Sequence, residues 1–126
     1  MRAKALTPIL LLAGLCACAP KPEAAKPRLA LDCSLSYDEL SARVLAHPGL
    51  VQQPAEKGEP YRFYTVEGAG EAFVFTQPGA PGHPAILKQE VVREGGAAHM
   101  RNTGCAYGDQ AGFDQVMAYL ESLSRR

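Results

Sequence analysis

The sequence predicts an α+β domain, and three observations carry that prediction. Near the start of the domain, LSYDEL (35–40) holds a helix-capping pattern. Further along, stretches rich in β-branched and aromatic residues alternate with Gly- and Pro-rich turns. At the end, apolar residues recur at helical spacing. We expect two layers, a four-stranded antiparallel sheet with an N-terminal and a C-terminal helix packed on one face, in the order α-β-β-β-β-α.

The first helix has a defined start and stop. Ser36 is placed to cap it, and Glu39, three residues on, completes a capping box. Pro48 restricts the residue before it, so the helix is expected to end near Ala46.

The strands follow from residue type and from the turns between them. YRFYTV and EAFVFTQ flank the turn EGAG and predict a hairpin. AILKQEVVRE and AAHMRNTGCAY flank Gly95-Gly96, a two-residue hairpin signal. The prolines between these segments predict loops over 47–60 and 77–84.

The last helix shows the clearest periodicity. Its predicted apolar face consists of Phe113, Val116, Met117, Leu120 and Leu123. Asp109 is placed to cap its start.

The N-terminus reads as a targeting segment. Arg2 and Lys4 precede a short apolar run over 5–15, which is typical of a secretory signal. In the stretch LCAC, Leu15 lies three residues before Cys18 and Ala17 lies directly before it. This stretch resembles the lipobox of bacterial lipoproteins.

The resemblance covers residues 1–18 and implies processing. It implies cleavage before Cys18, a diacylglycerol thioether on that cysteine and acylation of the new amine. We therefore expect a cleaved signal peptide over 1–17, a lipidated Cys18 with a Pro-, Ala- and Lys-rich tether over 18–32, and a domain over 33–126. Ala19, in place of Asp, resembles the pattern for export to the outer membrane, so we expect an anchor there that faces the periplasm.

Cysteine parity predicts one disulfide. If Cys18 carries lipid, Cys33 and Cys105 are the two that remain after cleavage, and both enter an oxidising compartment. We expect these two to pair and to join the two ends of the domain.

Several function classes lack a signal. The chain has 13 basic and 13 acidic residues, so nothing in its charge calls for nucleic acid as a partner. His47, His83 and His99 share no metal-ligand spacing, and no phosphate loop or nucleophile motif is present. We predict no cofactor, no metal and no catalytic residue.

Two surfaces remain as candidates for binding. One is the 77–84 loop, with His83, because exposed loops often carry function. The other is the sheet face turned away from the helices, where His99 and Arg101 are expected to point outward. These features predict a non-enzymatic, membrane-anchored module that binds or assembles with an envelope protein or the cell wall. The alternatives are a tethered inhibitor or immunity-type module against an envelope-damaging enzyme, and an enzyme with an unrecognised site that uses His99 and Arg101.

Overall fold

A computed structural model describes residues 28–125 and Gly14. The predicted lipobox, Cys18 and the first part of the tether therefore lie outside the described residues. The elements in chain order are α1 (Tyr37–Leu45), β1 (Leu50–Gln52), β2 (Tyr61–Val66), β3 (Glu71–Thr76), β4 (Ala85–Glu94), β5 (Ala97–Ala106) and α2 (Gln110–Ser124). The strands form one antiparallel sheet in the order β1-β2-β3-β4-β5, so every strand lies beside its neighbour in sequence.

Both helix starts are confirmed. The Ser36 side chain accepts a hydrogen bond from the backbone N–H of Glu39, whose carboxylate accepts one from the Ser36 N–H. Asp109 accepts a hydrogen bond from the Gly112 N–H at the start of α2. These side chains satisfy N–H groups that the first turn of a helix leaves without partners.

The prediction of four strands is wrong, because the described part of the chain forms a sheet of five. The additional strand, β1, is three residues long and lies in the segment predicted as a loop. It pairs with β2, from Leu50 opposite Val66 to Gln52 opposite Tyr64. A strand this short has no periodicity to detect, and Pro54 follows it closely. Its existence depends on pairing with the edge of β2, across the Pro-containing segment that separates the two strands.

The prediction that both helices cover one face of the sheet is also wrong. The helices lie on opposite faces, so the domain has three layers. On the α1 face, the buried core consists of Leu40, Val44, Val66, Phe73, Phe75, Ile86 and Cys105. On the α2 face, it consists of Val74, Ala85, Leu87, Phe113, Val116 and Leu120.

Side-chain alternation in the central strands explains this arrangement. Phe73 and Phe75 point to the α1 face, while Val74 between them points to α2. In β4, Ile86 and Leu87 divide in the same way. Continuous apolar runs of this kind are typical of strands buried on both faces, and each face then needs its own cover.

The 77–84 loop is part of the packed structure. His83 Nδ1 lies 2.9 Å from the hydroxyl of Thr76, which also bonds both backbone groups of Ala85. Gly82 has φ +70 and packs against the backbone of Gly112 at the start of α2, where a Cβ on either residue would collide. The loop therefore fastens the end of β3 to the first turn of α2.

The disulfide prediction is confirmed: Cys33 and Cys105 are bonded, with a Cα–Cα distance of 5.3 Å. Residues before Cys33 also contact the sheet: Arg28 bonds to Glu90, and Leu29 and Leu31 pack partly against the α1-face core. The last five residues of the segment predicted as tether are therefore held on this face.

Candidate functional site

An ionic cluster lies on the α1 face, at the end of the sheet near the β2–β3 turn. Glu71 on β3 and Glu90 on β4 are direct cross-strand partners. Like charges placed opposite each other are destabilising, so this pair needs cations nearby. Arg28 bridges the two: its Nη1 lies 3.2 Å from Glu90 and its Nε lies 3.8 Å from Glu71.

Glu90 is the centre of the cluster. Its carboxylate accepts hydrogen bonds from Arg101 at 2.6 and 3.0 Å and from Arg28, and it lies 3.0 Å from Lys88 Nζ. Burial by itself raises the pKa of Glu90. The hydrogen bonds and charges of Arg101 and Lys88 outweigh that effect and lower the pKa to about 2. Glu90 is therefore ionised at neutral pH.

Glu71 has a different environment. Its side chain is fully buried, and neither carboxylate oxygen has a hydrogen-bond donor among the described residues. The nearest basic side chains are Arg28, with Nε at 3.8 Å, and His47, with Nε2 at 3.9 Å. The protein therefore buries one carboxylate that is well bonded and a second that is not, and burying the second costs free energy.

The geometry of this cluster favours a structural role over proton transfer. A general acid or base works best with a pKa near the operating pH. A Glu90 pKa of about 2 lies far below that range, and both its oxygens are already engaged by cations. The cluster joins Arg28, at the start of the described chain, to β4 and β5.

The structure separates the three residues predicted as a binding surface. His83 lies before β4, and Val92 of the same strand is the partner of His99. At about 3.3 Å per residue, these two histidines are roughly 30 Å apart along the strand. His99 and Arg101 are two residues apart on β5, so their side chains lie on the same face and form one surface.

The predicted environment of that surface is wrong in one respect. The sequence predicts His99 and Arg101 on the sheet face turned away from the helices. They lie instead on the α1 face, the one that contains Cys105 and Phe73. They nevertheless remain accessible, since their side chains are 48% and 53% exposed.

Among residues 28–125, no strand pairs with the outer edge of β5. Two backbone bonds fix which residues face which neighbour. The Tyr107 N–H donates to Pro84 O, which continues the β4–β5 pairing, and the Val91 N–H donates to Gly70 O, on the β3 side of β4. Antiparallel strands alternate between hydrogen-bonded and non-bonded pairs, so the odd-numbered residues of β5 bond to β4. The backbone N–H and C=O groups of the even-numbered residues, among them Ala98, Met100 and Asn102, point away from the sheet.

A groove runs along this edge. It has a volume of about 530 Å³ and lies between β5 and the last turns of α2. Its lining consists of Ala98, His99, Met100, Arg101, Asn102, Glu121, Ser124 and Arg125. The groove thus combines free backbone groups with the exposed His99 and Arg101. Its floor also contains Met100, which is 39% exposed.

Sequence reasoning missed both the ionic cluster and the free edge. The cluster has a signal in the sequence, since Lys88 and Glu90 follow Ile86 at two-residue spacing and so share its face. The free edge has no local signal. That β5 lies at the end of the sheet is a property of the strand order.

Within residues 28–125, no three His, Cys, Asp or Glu side chains are close enough to hold a metal ion. Nor does any helix in that part of the chain have the length and hydropathy needed to cross a membrane. No protein-family model, curated protein or solved structure matches the chain.

Proposed function

We propose that this chain is an envelope lipoprotein, anchored by Cys18 and without catalytic activity, whose domain binds a segment of another protein as a sixth strand along β5. The unpaired outer edge of β5, in its groove beside α2, carries this proposal. Strand addition of this kind gains affinity from backbone hydrogen bonds and specificity from alternate side chains.

The contrast between the two edges of the sheet supports the proposal. Proteins usually protect a sheet edge with a very short strand, a proline, a bulge or a covering element. The edge at β1 is three residues long. The edge strand β5 is ten residues long, contains no proline and pairs with β4 in unbroken register. A long, regular edge of this kind is suited to receiving a strand.

A lipid anchor on Cys18 would hold the domain close to a membrane. Cys18 and Arg28 are separated by ten residues, which span at most about 35 Å when fully extended. Arg28 contacts Ala69 and Val91 at the end of the sheet that carries the exposed part of β5. We propose the outer membrane, on its periplasmic side, as the site of attachment.

Cys18→Ser is expected to release the protein from the membrane fraction. Two or three acyl chains make anchoring effectively permanent, whereas one does not. Cys16→Ser is the matched control, because Cys16 occupies the tolerant middle position of the lipobox-like stretch. Intact-mass measurement of the detergent-extracted protein should give an N-terminus at Cys18 with acyl mass. A different N-terminus, or no acyl mass, would contradict the anchor.

Met100→Pro is expected to abolish partner binding while the fold is kept. The Met100 N–H points outward, so proline removes a group that a bound strand needs and leaves the β4–β5 bonds in place. We expect at least about a tenfold loss of affinity, since a lost hydrogen bond and a blocked strand together exceed about 1.4 kcal/mol. Met100→Ala is the control, because it removes the side chain and keeps the N–H.

The measurement is in-cell cross-linking of the tagged lipoprotein, followed by hydrogen exchange on the purified complex. One partner should be enriched with wild type and with Met100→Ala, and lost with Met100→Pro. In the complex, the amides of Ala98, Met100 and Asn102 should exchange more slowly. A partner that binds Met100→Pro equally well, or that leaves these amides unprotected, would show that binding occurs elsewhere.

A further inference from the structure

We infer that the segment bound along β5 comes from a different protein and carries two acidic residues separated by one apolar residue. This inference rests on the proposed function, because it specifies the chemistry of the strand that β5 receives. It follows from which β5 side chains border the free edge, and from their charge.

Backbone geometry fixes which side chains face the incoming strand. When the bound strand runs antiparallel to β5, its hydrogen bonds form at Ala98, Met100 and Asn102, so His99 and Arg101 lie in non-hydrogen-bonded pairs with it. Opposed side chains are closest in such pairs, with Cα atoms about 4.5 Å apart. The bound residues opposite His99 and Arg101 therefore meet these side chains directly, on the α1 face.

The ionic cluster beside this edge has more cations than carboxylates. Arg28, Lys88 and Arg101 share Glu71 and Glu90, which leaves one positive charge in excess. Arg101 uses Nε and Nη2 on Glu90, which leaves Nη1 without a partner among the residues described. A carboxylate on the bound strand would meet this guanidinium across the edge, and a second one, two residues away, would lie within reach of a hydrogen bond from the His99 ring.

The residue between the two acids faces the opposite side of the sheet. By the two-residue period it lies beside Met100, on the α2 face. Met100 and its cross-strand partner Val91 are both partly exposed there, at 39% and 36%. An apolar side chain at this middle position would cover them.

The same charges disfavour a second copy of this chain as the occupant. Antiparallel pairing of two β5 strands, centred on Met100, would place Arg101 of each copy opposite His99 of the other. Pairing centred on Arg101 would set the two Arg101 side chains against each other. Two guanidinium groups directly opposite each other are destabilising, and in the Met100-centred register neither copy offers Arg101 a carboxylate, so self-pairing supplies no complement to this edge.

The test uses three short blocked peptides in which Val alternates with Glu, with Gln or with Lys. Their affinities for the oxidised chain from residue 18 onward, carrying Cys18→Ser, are measured by titration calorimetry, and the bound site is located from the backbone amide shifts of Ala98, Met100 and Asn102. We expect the Glu peptide to bind at least about tenfold more tightly than the Lys peptide, with the Gln peptide between them. Arg101→Gln should reduce that preference and Arg101→Glu should reverse it. Arg93→Glu is the control, because Arg93 is exposed on the opposite face and does not border the edge.

Each outcome has a distinct meaning. Equal affinities, with shifts at the three edge amides, would overturn the acidic preference and leave strand addition intact. Binding of the Glu peptide with shifts elsewhere, or no binding of any peptide, would overturn both proposals. A dimer that Met100→Pro dissociates, detected by sedimentation, would make a second copy the occupant and overturn this inference. A preference for Glu that Arg101→Glu reverses, in a variant that retains the wild-type sheet spectrum, would support it.

Discussion

Removal of the Cys33–Cys105 bond is expected to lower the free energy of unfolding by about 4 kcal/mol. The bond spans 72 residues of sequence, and the chain-entropy model gives about this value for a loop of that length. It also fixes the segment that precedes α1 against β5, where Cys105 lies in the α1-face core. A small domain has little stability to spare, so this loss is a large fraction of the whole.

The measurement is urea unfolding of residues 28–126 as oxidised wild type and as two variants. Cys33→Ala opens the bond and leaves a buried thiol at Cys105, while the double variant Cys33→Ala and Cys105→Ala also removes that thiol. Both should unfold at much lower urea than wild type, with Cys33→Ala showing the effect of the bond itself. A midpoint for Cys33→Ala within error of wild type would show that the bond contributes nothing to stability.

Glu90→Gln is expected to lower the free energy of unfolding by about 3 kcal/mol at pH 7. The substitution leaves Lys88, whose side chain is 5% exposed, without its carboxylate partner. Removing one member of a buried ion pair typically costs about 3–5 kcal/mol, because the remaining charge is uncompensated. Arg28 and Arg101 lose the same partner, and both are half-exposed and accessible to water.

Glu71→Gln is the matched control, on the neighbouring strand directly opposite Glu90. Its carboxylate is fully buried and accepts no hydrogen bond within the described part of the chain, so removing its charge relieves a desolvation cost. We expect Glu71→Gln to be neutral or stabilising in the same urea titration. Equal losses of unfolding free energy in Glu90→Gln and Glu71→Gln would show that the hydrogen bonds and ion pairs of Glu90 do not make it more important for stability than Glu71.

The same contacts determine how Glu90 contributes to acid stability. Its pKa in the folded protein is about 2, below the ordinary value of 4.5. The stabilisation is therefore complete above pH 4.5 and is lost as the pH falls toward 2, a change on the order of 3 kcal/mol. Glu90→Gln should unfold with a correspondingly weaker dependence on pH between 4.5 and 2. A wild-type and a variant profile that run parallel across that window would contradict this assignment.

Part of the candidate site could be predicted from the sequence. Two-residue alternation placed His99 and Arg101 together on β5, and cysteine parity identified Cys33 and Cys105 as a pair. The contacts of Arg101 with Glu90 could not be predicted, because they depend on the register between β4 and β5. Arg28 was assigned to a tether, since a proline-rich segment gives no sign that its last residues are bound to the sheet.

By itself, the sequence determined the features that depend on neighbours within a few residues. These are the caps at Ser36 and Asp109, the hairpin turn at Gly95-Gly96 and the approximate extent of the longer strands, because capping bonds and tight turns are made locally. Only the tertiary structure decided which face each helix covers, that β1 exists, and that β5 keeps an open edge. The reason is physical: burial and strand pairing join residues far apart in the chain, and a strand becomes an edge only because no other strand lies beside it.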